Sequence, residues 1–587
     1  MALGERQGDL DWVSPAETYH WCDSDPLIDW LNAYGTDAGF LADSRRPGYD
    51  KRFDYGRFVV SQSWAFKRAV VAWLTAKSPL RMITTNPSQA QDPVKAEQTL
   101  AAMKEGVPII AHAVLWNRDD RIRGAVTLLV RSDVLERLFT PHPDPPPQGG
   151  MEVTSPFAGE PAGAAAVPAP GLGNVAYHYR AIDIKFMTVH VLKDGTASLE
   201  HLPYMVENWI YNQALGRTQG YTPPASYLVG RDLFRAPARV NHADSALGRL
   251  AAEAAAWIRR LRKEGKSWHP LPSPSVPELR PNLKASRDLE WHAAKREIAL
   301  AQHDLTLLPF VGPKERDLAA AAGITRWDDP ALSPGIVGLD DSKEGRRLES
   351  VLMANRSTGA RAVFPVLLLS NIGHWQQPAR LEVFVSVQGV EDQADDFSRV
   401  PERGGTALFF MITWGFVDRD GRWQTGQLVA RDLSPSGEAE MITTWETDLG
   451  RLADVHGIRL RDIRLFHWGS RETLLPDLNW FSLLRNLVHE APVTVRGAFG
   501  FGLPEMAQAF HALGLIESAL PDQPQDPVAA MAGAWSAAKE AKSLQIPLGQ
   551  TAPMQVIGEF SHRACRSMIE ILTLLRKLAQ ASLTEAA

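Results

Sequence analysis

Two blocks of strand-like sequence, separated by a long helical stretch, constrain the fold of this chain more than any other feature. The first block has strand candidates around Ile109 to Leu115 and Gly124 to Val130, followed by the strand "YRAIDIKF" that starts at Tyr179. After Asp232 the apolar residues follow helical spacing, and strand patterns return beyond Pro365 in "ARLEVFVSVQGVED" and "GTALFFMITWGFVD". A chain of 587 residues is too long for a single hydrophobic core. The pattern therefore predicts a multidomain α/β protein.

Helices and loops are predicted between and after these strands. Helical spacing predicts helices at 57–75, at about 203–215, and in "ADSALGRLAAEAAAWIRRLRKEGKSW". The stretches "RETLLPDLNWFSLLRNLVHEA" and "GEFSHRACRSMIEILTLLRKLAQ" are also predicted to be helical. Residues 141–173 are rich in Pro, Gly and Ala without periodicity, which predicts a disordered insertion in a surface loop. Residues 520–555 are predicted to be loop-like because they are rich in Pro and Ala.

Composition excludes several classes of protein. A net charge of −6 gives no overall nucleic-acid signature, so any such surface must be a local basic patch. Two cysteines, Cys22 and Cys565, exclude a disulfide scaffold and a four-cysteine metal site, and they fit a reducing cytoplasm. The polar start of the chain is unlike a signal peptide, and the most apolar run, "AVFPVLLLSNIG", is too short to cross a membrane. We therefore expect a cytoplasmic protein with no membrane partner.

The strand "YRAIDIKF" contains the first candidate for chemistry. Asp183 and Lys185 are two residues apart on a strand, so both point to the same face. There the acid can hold a divalent cation while the ammonium stabilises an attacking water or a developing phosphate charge. The same two residues can also form a simple ion pair on the surface of a strand. Whether they belong to a metal site depends on the other residues that the chain supplies.

The order of several short motifs resembles one nuclease family. These are "GAVTLLVRSD", "YRAIDIKF", "NWIYNQALGRTQGYTPPASYLVGRD", "LPFVGPKERDLAAAAGITRWDD", "FHWGSRE" and "VTVRGAFGFGL". The chain resembles RecB-like nucleases, in which a PD-(D/E)XK domain precedes a helix-hairpin-helix segment and a C-terminal RNase H-like exonuclease domain of the DEDD type. The resemblance implies a nuclease-like domain at 1–235, a helical hairpin region at 236–345 and a three-layer RNase H-like domain at 346–587.

The first of the two implied active sites is degenerate. Nucleases of this type need at least two acids and a lysine, because one carboxylate holds a hard cation poorly. The family places acids where this chain has Lys67, in "SWAFKRAV", and Thr127, in "GAVTLLVR". Its Q-x-x-x-Y feature reads Glu207 through Tyr211 here, so Gln is replaced and Tyr is kept. Asp183 and Lys185 remain from the central set, and Asp183 is the residue expected to contact a metal.

The second implied site lacks its acids as well. Two-metal hydrolysis needs several carboxylates around ions about 3.5–4 Å apart. The positions where the family carries these acids are all neutral here: Ser386, Gln388, Ser482 and Ala564. His467 and Glu472 match the family but do not build a two-metal site alone. Substitutions thus fall on the charged positions, whereas glycines, aromatics and strand residues of the scaffold persist.

The segment "LPFVGPKERD" is the candidate for nucleic-acid contact. Backbone amides at a glycine turn and at the following helix N-terminus attract phosphate. Gly312, Lys314 and Arg316, together with the retained Tyr211, are the expected nucleic-acid contacts. The same hairpin can also be a simple helical connection.

Three functions remain open at this point. The first is a nuclease-derived, catalytically inactive subunit that needs no cofactor and binds DNA or RNA, or acts as a scaffold with protein partners in a nucleoprotein complex. The second is an active nuclease that uses Mg²⁺ or Mn²⁺ with Asp183, Lys185 and a further acid. The third is a protein–protein interaction subunit without nucleic-acid contact.

Overall fold

The computed structural model describes residues 11–139, 163–231, 237–365, 375–469 and 474–586. It is a mixed α/β structure with two principal sheets, one in each half of the chain. Residues 141–162 of the predicted insertion lie outside the described part.

The first sheet contains six strands whose spatial order equals their chain order. They are β1 (Leu80–Met82), β2 (Ile109–Asn117), β3 (Ile122–Arg131), β4 (Tyr179–Ile184), β5 (Ala225–Val229) and β6 (Ala238–Asn241). β1 is parallel to β2 and β4 is parallel to β5, whereas the remaining neighbours are antiparallel. The helices of this half are α1 (Tyr19–Cys22), α2 (Leu27–Trp30), α3 (Tyr55–Thr75), α4 (Pro93–Lys104), α5 (Ser132–Leu138) and α6 (Leu202–Gln219). The predicted strands and the helices at 57–75 and 203–215 are confirmed.

Alternation along the strands gives this sheet two apolar faces. Ile182 and Ile184 pack with α3 and α5 on one face, and Tyr179 and Ala181 pack with α4 and α6 on the other. A strand that is apolar on both faces reads as a continuous hydrophobic run, which is the pattern of a sheet covered by helices on both sides. Asp183 is therefore a polar residue on the α6 face of a buried strand.

The middle of the chain is helical, with α7 (Ser245–Glu264), α8 (His292–Gln302), α9 (Pro313–Ala321) and α10 (Lys343–Arg356). The N-terminal segment packs against it: Trp30 and Leu31 share a core with Trp257 and Ile258 of α7. Trp257 Nε1 also donates to the buried Asp29 carboxylate at 2.9 Å. The sequence predicts a domain boundary at residue 235. This core contains residues from both sides of that position, and β6, which follows it, pairs with β5 of the first sheet.

The second sheet has the order β10-β9-β8-β11-β12, and a separate pair is formed by β7 and β13. The bounds are β7 (Val363–Phe364), β8 (Glu382–Val390), β9 (Leu408–Val417), β10 (Trp423–Val429), β11 (Arg464–His467), β12 (Asn479–Ser482) and β13 (Thr494–Val495). β9 runs antiparallel to both of its neighbours, β10 and β8, whereas β8, β11 and β12 run parallel. The helices are α11 (Pro435–His456), α12 (Leu503–Ala512), α13 (Pro527–Leu544) and α14 (Ala552–Ala586).

Helices cover both faces of the second sheet. Val383 and Val385 pack with residues of α11 and α13, whereas Phe384 packs with α12 and with the stretch of α14 around Cys565. This half is therefore a three-layer α/β/α structure.

Three local predictions were wrong. Residues 520–555 contain α13, because Asp526 caps the helix by accepting from the amide of Ala529 and Pro527 occupies its first position, where a proline is tolerated. Residues 163–173 are ordered by tertiary packing, with Ala169 and Leu172 buried beside the first sheet. The segment predicted as one helix before residue 490 contains the strand β12, which pairs with β11 along its whole length.

A search of the described helices finds none with enough length and apolar character to span a lipid bilayer.

Candidate functional site

Four elements of the first half bring five sequence-predicted residues together. Lys67 lies on α3, Thr127 on β3, Asp183 on β4 with Lys185 just beyond it, and Glu207 on α6. We call these five residues the lysine–carboxylate cluster. The β3–β4 register, with Leu128 opposite Ile182, sets Thr127 beside Asp183.

Lys185 lies at the centre of the cluster. Its ammonium is 2.7 Å from Asp183 Oδ2 and 2.6 Å from Glu207 Oε2. Thr127 Oγ1 donates to the other Asp183 oxygen, Oδ1, at 2.5 Å. The side chains of Asp183 and Glu207 are 4% and 10% exposed, so both carboxylates have little access to water. The two acids that could hold a cation thus converge on an ammonium group.

The pKa shifts reflect this pairing. Burial by itself would raise the pKa of Asp183, but Lys185, Lys67 and the hydrogen bond from Thr127 together hold it below its usual value. Burial likewise opposes the charge of Lys185, but Asp183 and Glu207 outweigh it and raise the lysine pKa. Both groups are therefore charged at neutral pH.

Lys67 adds a second positive charge to the cluster. Burial lowers the pKa of Lys67 most, and the neighbouring cations Lys185 and Arg287 lower it further, against Asp183 and Glu207. The nearby His112 has a lowered pKa because of burial and the charge of Lys67. Lys67 is thus a partly buried cation at the position where the resemblance to RecB-like nucleases would place an acid.

A row of aromatic and cationic groups connects the cluster to the surface, and no local sequence pattern had indicated it. The Lys185 ammonium lies 4.6 Å from the centre of the Tyr204 ring. The Tyr204 ring lies 5.3 Å from the Tyr19 ring, and the exposed Arg287 guanidinium lies 4.1 Å from the centre of Tyr19. We call Tyr19, Tyr204 and Arg287 the rim. Its members come from three distant parts of the chain, which explains why sequence inspection missed them.

Tyr211, one turn along α6 from Glu207, faces inward. Its hydroxyl donates to the Ala125 carbonyl at 3.2 Å, and the side chain is 4% exposed. Burial raises the pKa of Tyr211 well above its usual value, with Glu207 and Asp183 adding to the shift. This environment packs α6 against β3 and does not present the ring to a ligand.

The second half of the chain packs against residues next to the cluster. Phe397, in the loop between β8 and β9, has its ring centre 5.6 Å from that of Phe66 and 5.6 Å from that of Phe186. Phe66 and Phe186 are the direct neighbours of Lys67 and Lys185 in the chain. Arg231 reinforces the contact through an ion pair with Asp392 at 2.7 Å.

The four neutral residues predicted for the second site lie on β8, β12 and α14, and the polar side chains among them bond to each other or to the backbone. Gln388 Nε2 donates to Ser386 Oγ at 3.2 Å on β8. Ala564 is buried on α14, next to Cys565, whose thiol lies 3.5 Å from the carbonyl of Thr413, the cross-strand partner of Ser386. Ser482 Oγ donates to the Gly469 carbonyl at 2.6 Å and accepts from the Arg485 amide. Glu472 lies outside the described residues.

The hairpin around Gly312 differs from the expected phosphate-binding turn. The Gly312 amide donates to Glu315 Oε2 at 2.9 Å, so a carboxylate of the chain itself takes the place expected for a phosphate. Arg316 points inward, where it donates to the Pro281 carbonyl at 2.6 Å and lies near Asp304. Of the expected hairpin cations, Lys314 is the exposed one.

Comparisons with protein-family models, with curated proteins and with solved structures return no match.

Proposed function

We propose that this protein is a catalytically inactive, nuclease-derived subunit that binds nucleic acid at the rim beside the lysine–carboxylate cluster. The observation that carries the proposal is the position of Lys185, whose ammonium lies within 2.7 Å of both Asp183 and Glu207. The cytoplasm remains the proposed compartment, because both cysteines are buried free thiols.

The charges of the cluster argue against a divalent cation. Two carboxylates, Asp183 and Glu207, face two ammonium groups, Lys185 and Lys67, so the site has no excess negative charge. A cation between the acids would have to displace the Lys185 ammonium and lie close to Lys67. The Asp183 oxygen that Lys185 does not contact accepts from Thr127. Hard divalent cations need several carboxylate or carbonyl oxygens, which this donor set does not offer.

The rim supports nucleic acid as the ligand. Arg287 is exposed and, among the residues that the structure describes, has no carboxylate within ion-pair distance. The Tyr19 and Tyr204 rings beside it are partly exposed. A cation beside aromatic rings is the combination that single-stranded nucleic acids use, with phosphate on the charge and bases stacked on the rings. Neutral or basic residues in place of acids in the adjoining lysine–carboxylate cluster lower the repulsion of phosphate.

A digestion assay tests inactivity. Labelled single- and double-stranded DNA and RNA are incubated with the protein and Mg²⁺ or Mn²⁺, with Asp183→Ala as the control. We expect the same background cleavage for both proteins. Cleavage by the wild type that Asp183→Ala abolishes would overturn the proposal.

A binding titration tests nucleic-acid contact. Fluorescence anisotropy of the same oligonucleotides is measured without divalent cation at several salt concentrations. We expect binding that weakens as salt increases, because phosphate contacts release counterions. Absence of binding at low salt to every oligonucleotide would leave the protein–protein interaction subunit as the function to pursue.

One observation favours a second candidate, a metal-dependent nuclease. The carboxylates of Glu207 and Asp183 both contact Lys185 Nζ. Glu207 could therefore be the further acid that an active nuclease needs and that the sequence alone did not place. In that case Lys185 would move aside when the cation binds. Calorimetric titration with Mn²⁺ distinguishes the inactive subunit from the active nuclease. An active nuclease should bind Mn²⁺, and both Asp183→Ala and Glu207→Gln should abolish that binding.

A further inference from the structure

A second group of ligand-type side chains lies outside the lysine–carboxylate cluster. In the described ranges, one set of three His, Cys, Asp or Glu side chains has its ligand atoms within 4.8 Å of one another: His190, Glu200 and His201. His190 Nδ1 lies 2.6 Å from Glu200 Oε2, and the His190 amide donates to His201 Nε2 at 2.9 Å. The His190 and Glu200 side chains are 62% and 66% exposed, whereas His201 is buried against the fold.

The backbone holds these residues together. The chain between β4 and α6 folds back on itself, with a bridge between Val191 and Ala197 and a bond from the Ser198 amide to the His190 carbonyl at 2.9 Å. The reversal occurs at Gly195, whose φ of 82° favours glycine. His190 therefore meets Glu200 and His201 across the neck of a closed loop.

We propose that His190, Glu200 and His201 bind a divalent transition-metal ion of the Zn²⁺ class. Two imidazoles and one carboxylate are a ligand set that suits this ion, with water completing a tetrahedral site. The cation takes the place of the proton shared by His190 and Glu200, and His201 Nε2 exchanges its bond from the His190 amide for a bond to the metal. The exposed side chains of His190 and Glu200 can turn to accommodate this change, while His201 provides a fixed ligand.

The position of the site defines its role. The loop that it closes joins Lys185, just beyond β4, to Glu207 on α6. A bound ion clamps the neck of this loop and so restrains the two elements that carry the centre of the lysine–carboxylate cluster. The ion does not contact that cluster, and its binding does not depend on the nucleic-acid function proposed above.

The test is a Zn²⁺ titration of metal-free, full-length protein in competition with a chromophoric chelator. The variants are His190→Ala and Glu200→Gln, whose side chains are exposed, so the fold should tolerate them. His511→Ala serves as the matched control, because it removes an exposed histidine of α12 elsewhere. We expect the wild type and His511→Ala to bind one more Zn²⁺ than His190→Ala, and Glu200→Gln to bind it at least tenfold more weakly. The proposal is overturned if His190→Ala and His511→Ala bind Zn²⁺ with equal stoichiometry and affinity.

Hydrogen exchange provides an independent readout. Zn²⁺ should slow exchange of the amides between residues 188 and 201 in the wild type and in His511→Ala, but not in His190→Ala. Unchanged exchange in the wild type at saturating Zn²⁺ would contradict the loop-closing role.

Discussion

The ammonium of Lys185, just beyond β4, lies 2.6 Å from the carboxylate of Glu207 on α6. The same ammonium is paired with Asp183, so one cation neutralises two nearly buried acids. Removing one partner of such a group leaves an uncompensated charge, which costs more than the pairing contributes.

Lys185→Met should destabilise the protein by about 3–5 kcal/mol, because the nearly buried Asp183 and Glu207 would lose the one ammonium that contacts both, leaving Lys67 as the nearby cation. Urea denaturation at pH 7 measures the loss. Lys193→Met is the matched control, since Lys193 is exposed on the following loop. Equal losses in the two variants would contradict the central position of Lys185.

The double substitution Lys67→Glu and Thr127→Asp should create a site for Mn²⁺. It replaces one ammonium and one hydroxyl by carboxylates, so four acids would face Lys185 alone and the cluster would gain the oxygen ligands that hard cations require. Calorimetry should detect Mn²⁺ binding in the double variant and none in the wild type. Adding Asp183→Ala to the double variant should weaken that binding.

Asp29→Asn should stabilise the protein at neutral pH by about 0.5–2 kcal/mol, the usual range for a stabilising substitution, because it removes a charge that is costly to bury. Burial raises the pKa of Asp29 well above its usual value, despite the hydrogen bond from Trp257. The folded state therefore binds more protons than the unfolded state once the pH exceeds the unfolded pKa, and the acid lowers stability as the pH increases from there.

The pH dependence of the unfolding free energy tests this effect. The difference in unfolding free energy between Asp29→Asn and wild type should be largest near pH 7 and should shrink towards pH 3, where the acid is protonated in both states. Asp37→Asn, at an exposed position, is the control variant.

Phe397→Ala should cost about 3–5 kcal/mol, the usual range for removing a buried phenyl ring. Because Phe397 packs against Phe66 and Phe186, hydrogen exchange should also increase in α3 and in β4. Phe310→Ala is the comparison, since Phe310 is 37% exposed. If exchange increases only in the loop that carries Phe397, the two halves are not coupled through this contact.

Arg287→Ala should weaken nucleic-acid binding and reduce the slope of log affinity against log salt by about 0.7–0.9, the value for one phosphate contact. Lys314→Ala should change both quantities little, because Glu315 occupies the amide of the hairpin turn. The opposite ranking would place the nucleic-acid surface at the hairpin.

Features that depend on local periodicity follow from the sequence alone. Apolar spacing predicted α3, α6 and α7, and the two-residue spacing of Asp183 and Lys185 predicted that both would point to one face. Periodicity failed at α13, where alanine and proline suggested a loop although Asp526 caps a helix that packs on the second sheet.

The surroundings of Asp183 depend on the tertiary structure. Thr127 reaches Asp183 through strand register, and Glu207 comes near it through the packing of α6. These contacts join residues far apart in the chain, and no spacing within a short segment encodes them. The character of the cluster depends on how two acids and two lysines are arranged in space, because buried charges are stabilised by their neighbours and not by their positions in the sequence.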